Sequence, residues 1–159
     1  MRNKTHKLLI LILFILIFSL FAAYVIEYIL GHKACKLCIY QRIPYFISIL
    51  ILINFLIIKK YQKISLLILS VVSFFGFILS FYHFGIEQGF FADSFVCETQ
   101  NLTKDLTKED ILKQLGNNTV GCKDVTFRVF GLSLATINTI FSLILFIIFI
   151  KLYKNYEKN

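Results

Sequence analysis

Four cysteines are the groups in this chain whose type and spacing could carry chemistry: Cys35 and Cys38 form a Cys-x-x-Cys pair, and Cys97 and Cys122 are separated by 24 residues. A disulfide between Cys35 and Cys38 closes so short a loop that it removes little chain entropy from the unfolded state. Such a pair is a poor staple and is suited to cycling between dithiol and disulfide. Cys38 and Arg42 are four apart, so on a helix they share a face. The guanidinium can hold Cys38 as a thiolate, and the positive end of a helix dipole acts in the same direction. The plainer reading of Arg42 is an interfacial side chain that snorkels to the membrane edge. Pro44 lacks an N–H and disfavours helix at the residue before it, which places the helix start near Tyr40 or Gln41; a start at Cys38 would imply a kink. His83 is the titratable group of its apolar run, and on composition alone it reads as a helix-end interfacial residue. Two alternatives remain for the cysteines. They could be two stapling disulfides, or they could bind zinc, although structural zinc sites usually repeat the tight spacing in their second half.

The elements that must position these residues are apolar to a degree unusual for a chain in water. Of 159 residues 58% are hydrophobic and 16% charged, against roughly 25% charged in an ordinary soluble domain. The apolar residues fall into continuous blocks, whereas a membrane β-barrel requires period-2 alternation. Spans are expected at about 8–30, 41–58, 64–86 and 129–150, each to be set against the ~20 residues a helix needs to cross the hydrocarbon layer. The expected fold is all-α, a polytopic four-helix membrane bundle in a single domain, with outward loops at about 31–40 and 87–128.

Charge gives the orientation. The segments 1–7, 59–63 and 151–159 hold nine basic residues in 21, and the segments 31–42 and 87–128 hold eight in 54. The positive-inside rule then sets both termini in the cytoplasm and the two longer loops outside. The net charge of +8 is mostly this inner rim, and its spread along membrane edges excludes a nucleic-acid surface. The apolar run of the first block extends past Ala22-Ala23 to Leu30, too long for a signal-peptide core, so it reads as an uncleaved anchor. All four cysteines fall in the outward loops, where disulfides persist if the space is oxidising. Between Cys97 and Cys122, Thr107 as N-cap, Glu109 and Asp110 in the first turn and Gly116 past the end suggest a short amphipathic helix at the membrane surface.

Cys35-Lys-Leu-Cys38-Ile-Tyr-Gln41-Arg42-Ile-Pro44-Tyr45 resembles the Cys-x-Leu-Cys-x-x-Gln-Arg-x-Pro-Tyr signature of the disulfide bond formation protein B (DsbB) family, thiol:quinone oxidoreductases of the bacterial inner membrane. Tyr82-His83-Phe-Gly85-Ile-Glu87 is similar to that family's motif at the outer end of the third helix, and Phe130-Gly131-Leu132-Ser133 is similar to its entry to the fourth. Ala34 stands where the family commonly has Pro, and Glu27 where Gln is frequent.

The resemblance implies a relay with catalytic Cys35, Cys38, Cys97 and Cys122. A periplasmic thioredoxin-fold oxidase of the DsbA type would form a mixed disulfide with Cys97 of a Cys97–Cys122 disulfide. Electrons would pass to Cys35–Cys38, and Cys38 would reduce a membrane quinone, ubiquinone or menaquinone, with Arg42 and His83 near its head group. It implies no metal and gives Glu87 no role beyond a helix-end contact. The competing expectations are a vitamin K epoxide reductase-like relay, whose loop pair precedes its Cys-x-x-Cys pair, a relay running in the reductase direction, and a non-enzymatic bundle with two structural disulfides.

Overall fold

The computed structural model describes residues 2–58, 61–92, 121–123, 127–129 and 131–157. Four long helices dominate these residues: α1 Arg2–Tyr24, α2 Lys36–Ile57, α3 Gln62–Glu87 and α4 Leu134–Glu157. Each contains a stretch long and apolar enough to cross a membrane: Lys4–Ile29, Lys36–Ile57, Gln62–Glu87 and Leu134–Tyr156. The chain is a four-helix, multi-pass membrane protein. Helix α3 packs most extensively on α4 and then on α2, and α1 leans on α2.

Side-chain burial shows lipid as the outer solvent. Phe14, Phe18, Phe21 and Leu50 are each about two-thirds exposed, a pattern that in water would mark an aggregation surface. One core fills half of the bundle, with Leu9, Ile12 and Leu16 of α1 against Leu52 and Phe55 of α2, Leu66 and Leu69 of α3, and Leu145 and Phe149 of α4. These recur at three- and four-residue spacing, as one helix face requires. A second, smaller core at the other half gathers Cys35, Leu37, Ile86 and Cys122.

Between the two cores α3 buries small residues, Ser70, Ser73, Gly76 and Ser80. Helices in lipid gain nothing from hiding apolar surface and associate through close packing, which small residues permit. At Gly76 an added Cβ would lie 3.4 Å from Pro44 Cβ on α2 and 3.7 Å from Ser142 Oγ on α4, so this glycine marks where three helices meet.

The element ends differ from the sequence expectation in several places, α1 starting at Arg2 and α4 ending at Glu157 among them, and two of the differences have a local cause. Helix α2 begins at Lys36, five residues before the 41 expected from Pro44, and Pro44 lies inside it. The early start is supplied by Cys35, which occupies the N-cap in an extended conformation (φ −69°, ψ 164°) with its sulfur accepting from the Cys38 N–H. The expected start of the last span at 129 is occupied by a hairpin. Strands β1 Arg128–Val129 and β2 Leu132–Ser133 pair antiparallel, and Gly131 takes φ +82° at the reversal, a conformation glycine adopts at no steric cost. Helix α4 then starts at Leu134. The expected amphipathic helix at Thr107–Gly116 lies outside the described residues.

Candidate functional site

At one end of the bundle the entry of α2, the last turns of α3, the start of α4 and the Cys122 loop converge. Because Cys35 is the N-cap, its sulfur faces the free N–H groups of the first turn, 3.2 Å from the Cys38 nitrogen. One turn on, Cys38 Sγ lies 2.7 Å from Cys35 Sγ, and both are free thiols. A disulfide needs ~2.05 Å between sulfurs, so the pair can close with little movement. His83 on α3 brings Nε2 to 3.5 Å from Cys35 Sγ. The Cys38 thiol donor first, then His83, hold the Cys35 thiol down to about 5 from an ordinary 9.0, against the opposing effect of burial. Cys35 is therefore a thiolate at neutral pH.

Cys122 belongs to the same cluster. The sulfurs of Cys35 and Cys122 and a ring nitrogen of His83 all lie within 4.8 Å of one another, and Cys122 is disulfide-bonded. The bonded sulfur offers no thiolate, so in this redox state the three groups make a thiol next to a disulfide, the geometry of exchange. Cys97 lies outside the described residues.

Arg42 points elsewhere. Its Nη1 is 2.5 Å from Glu27 Oε2, an ion pair between mostly buried side chains, and its guanidinium carbon sits 4.8 Å from the centre of the Tyr24 ring. Glu27 reaches it from Val25–Ile29, where the end of the first span is wound as a π-helix, a local widening often found at functional sites. Arg42 and Cys38 nevertheless line one cavity of about 540 Å³, together with Cys35, His83, Glu87 and Cys122. The thiolate-stabilising contacts expected from Arg42 on Cys38 are thus found on Cys35 and come from a helix cap and an imidazole.

Three residues of the family-like motifs have structural roles that spacing did not reveal. Gly85 is where the Phe91 ring lies, since an added Cβ would run into Phe91 Cδ2. Phe91 also stacks on Tyr82 with ring centres 5.6 Å apart. Ser133 caps α4, accepting from the Thr136 N–H at 3.2 Å while its hydroxyl donates to Glu87 Oε2. Glu87 in turn lies 3.7 Å from His83 Nε2, so it is tied to the imidazole as well as to the helix end. The sequence reading assigned no role to Gln41, Tyr45 or Asn138, which form a polar chain leading to His83. The signal was there in part: Asn138 is an amide inside an apolar run, and polar groups at membrane depth are expensive unless used.

The profile of the family Disulfide bond formation protein DsbB matches residues 5–152. The chain belongs to the DsbB family. Among curated proteins, the chain is 29% identical over 161 residues to the Uncharacterized protein RP370 of Rickettsia prowazekii (strain Madrid E), covering 99% of this chain and 93% of that one. No solved structure gives a significant match. As a DsbB-family protein the chain is a membrane protein of disulfide bond formation with an oxidoreductase character. The described site, a reactive thiol pair beside a disulfide, has the chemistry that such a family requires.

Proposed function

We propose that this DsbB-family chain reoxidises a DsbA-like periplasmic thiol oxidase and passes the electrons through two cysteine pairs to a membrane quinone, with the bundle in the bacterial inner membrane and both termini in the cytoplasm. The observation that carries the reading is the placement of Cys122 within 4.8 Å of Cys35 and His83, with Cys38 2.7 Å beyond. The donor thiolate attacks Cys97 of a Cys97–Cys122 disulfide, forming a mixed disulfide and releasing the Cys122 thiolate. Cys122 attacks Cys35 of the Cys35–Cys38 disulfide; the Cys35–Cys38 bond breaks, the Cys35–Cys122 bond forms, and Cys38 leaves as a thiolate. The donor's second thiol resolves the mixed disulfide and frees Cys97, which attacks Cys122 and displaces Cys35. Two electrons then reside on Cys35 and Cys38, and the donor is oxidised.

The geometry favours that last displacement. A low-pKa thiolate leaves fastest, and Cys35 is held down to about 5 by the Cys38 thiol first, then His83, and last its cap position. The cavity beside it suits a flat head group with an apolar tail: its walls include Ile15, Phe18, Ala22 and Ala23, and its polar groups include Arg42, His83 and Asn138. Its size falls within the range of small-molecule sites. Arg42 and His83 would hold the head group. The chemistry a quinone would supply there is that of a two-electron, two-proton acceptor.

The test uses purified chain, a reduced DsbA-like donor and ubiquinone or menaquinone. Quinone consumption is expected with the intact chain and its abolition with Cys38→Ser; unchanged consumption in that variant refutes the mechanism. A Cys122→Ser variant expressed in its host should accumulate a covalent complex through Cys97, which identifies the donor.

A further inference from the structure

A chain of buried and half-buried polar groups crosses α2, α3 and α4 and ends on the His83 imidazole. The Tyr45 hydroxyl donates to Asn138 Oδ1. Asn138 Nδ2 donates to Gln41 Oε1 at 2.8 Å. Gln41 Nε2 lies 3.0 Å from His83 Nδ1 and 3.5 Å from the Leu79 carbonyl. The Gln41 amide is therefore oriented from both sides, by a donor on its oxygen and a carbonyl near its nitrogen. Turning it over alone would set oxygen against oxygen at Leu79 and N–H against N–H at Asn138. An amide nitrogen has hydrogens and no acceptor lone pair, so His83 Nδ1 must be the acceptor. A neutral imidazole accepting at Nδ1 carries its hydrogen on Nε2, and Nε2 is the atom 3.5 Å from Cys35 Sγ and 3.7 Å from Glu87 Oε1.

We propose that Gln41, Asn138 and Tyr45 are positioning residues that lock His83 in its neutral Nε2–H form, aiming its single hydrogen at Cys35 and Glu87 and closing Nδ1 to protonation. The proposal rests on the reading of Cys35 as a redox thiol. Its consequence is a donor that steadies the Cys35 thiolate without holding a surplus proton ready to quench it. Amides do this without adding charge at membrane depth, where charge is costly. The titratable groups that face His83 are Cys35 from the start of α2 and Glu87 on its own helix, and the main chain of the disulfide-bonded Cys122 meets it from the loop. From α4 it is approached by uncharged groups, Asn138 through Gln41 and Ser133 through Glu87.

The experiment is ¹⁵N NMR of the full chain labelled at histidine, in bilayers, with Cys35 and Cys38 reduced; His83 is assigned by the signals lost in His83→Gln. At pH 7 the expected result is an unprotonated Nδ1 and a protonated Nε2. In Asn138→Leu the Gln41 amide is released and the Nδ1–H form becomes populated. In Gln41→Glu a carboxylate accepts from Nδ1 and both nitrogens carry protons. A proton on Nδ1 of the unaltered chain overturns the proposal, and that measurement depends on no variant folding. A folded Asn138→Leu chain with His83 unchanged also overturns it. Quinone reduction is not the readout, so a chain that fails to reduce quinone refutes the proposed function and leaves this result to be judged separately.

Discussion

Cys35 in the reduced chain should titrate near pH 5, and Cys38→Ala should move that midpoint further than any change at His83. The structure orders the causes: the Cys38 thiol at 2.7 Å comes first, and His83 Nε2 at 3.5 Å follows. A hydrogen bond to a charged group contributes about 1.5–3 kcal/mol, or about 1–2 pH units. Removing the Cys38 donor should therefore raise the Cys35 midpoint by about 1–2 units, and His83→Leu, which removes a longer contact, by about one unit or less. The assay is alkylation of Cys35 by a small uncharged haloacetamide, followed by mass spectrometry across pH 4 to 9. The rate at a single pH would mislead. Lowering a thiol from 9.0 to about 5 raises its thiolate fraction at pH 7 about 100-fold, while the loss of nucleophilicity, with a Brønsted slope of about 0.4–0.5, lowers the rate constant about 40–100-fold. The two effects nearly cancel, and the profile discriminates where the rate does not. Cys35 should react at a constant rate from pH 6 to 9. A rate rising about tenfold per pH unit through neutrality, or a larger shift in His83→Leu than in Cys38→Ala, would refute the reasoning.

Two further perturbations separate the parts of the site. Arg42→Lys should raise the KM for quinone, because a point charge does not replace a planar bidentate donor; it should leave the Cys35 midpoint in place, since Arg42 is engaged by Glu27 and Tyr24. Gly76→Ala should be nearly neutral by thermal unfolding, since its Cβ would meet Pro44 at 3.4 Å. Gly76→Leu should destabilise by about 1–3 kcal/mol, the usual cost of overfilling a packed contact.

The four spans were legible because lipid imposes a minimum length of apolar sequence, and blocks of that length cannot be hidden in a chain of 159 residues. The ends were less legible because they depend on capping. Pro44 argued for a helix start near residue 41, and a cysteine acting as an N-cap moved it to Lys36. Ser133 moved the start of α4 to Leu134 in the same way, by offering its hydroxyl to the Thr136 N–H. The cysteines and His83 were legible as reactive types at informative spacing. Their pairing with Glu87, Gln41 and Asn138 was not, because those contacts join residues far apart in sequence, up to the 97 positions between Gln41 and Asn138. No local pattern encodes which helix faces which.

The helix start also decides which sulfur does what. Had α2 begun at Gln41, Cys35 and Cys38 would both sit in a loop, with nothing but Arg42 to distinguish them. Starting at Lys36, the helix makes Cys35 its cap and Cys38 a first-turn residue. The cap sulfur receives the Cys38 N–H, the Cys38 thiol and the imidazole, so negative charge resides on Cys35. The same sulfur faces Cys122 within 4.8 Å. On the proposed relay, exchange with the Cys122 disulfide runs through the better leaving group, and Cys38 shares its cavity with Arg42. A one-turn difference along a helix thus gives two chemically identical thiols different surroundings, which is the asymmetry the proposed relay needs.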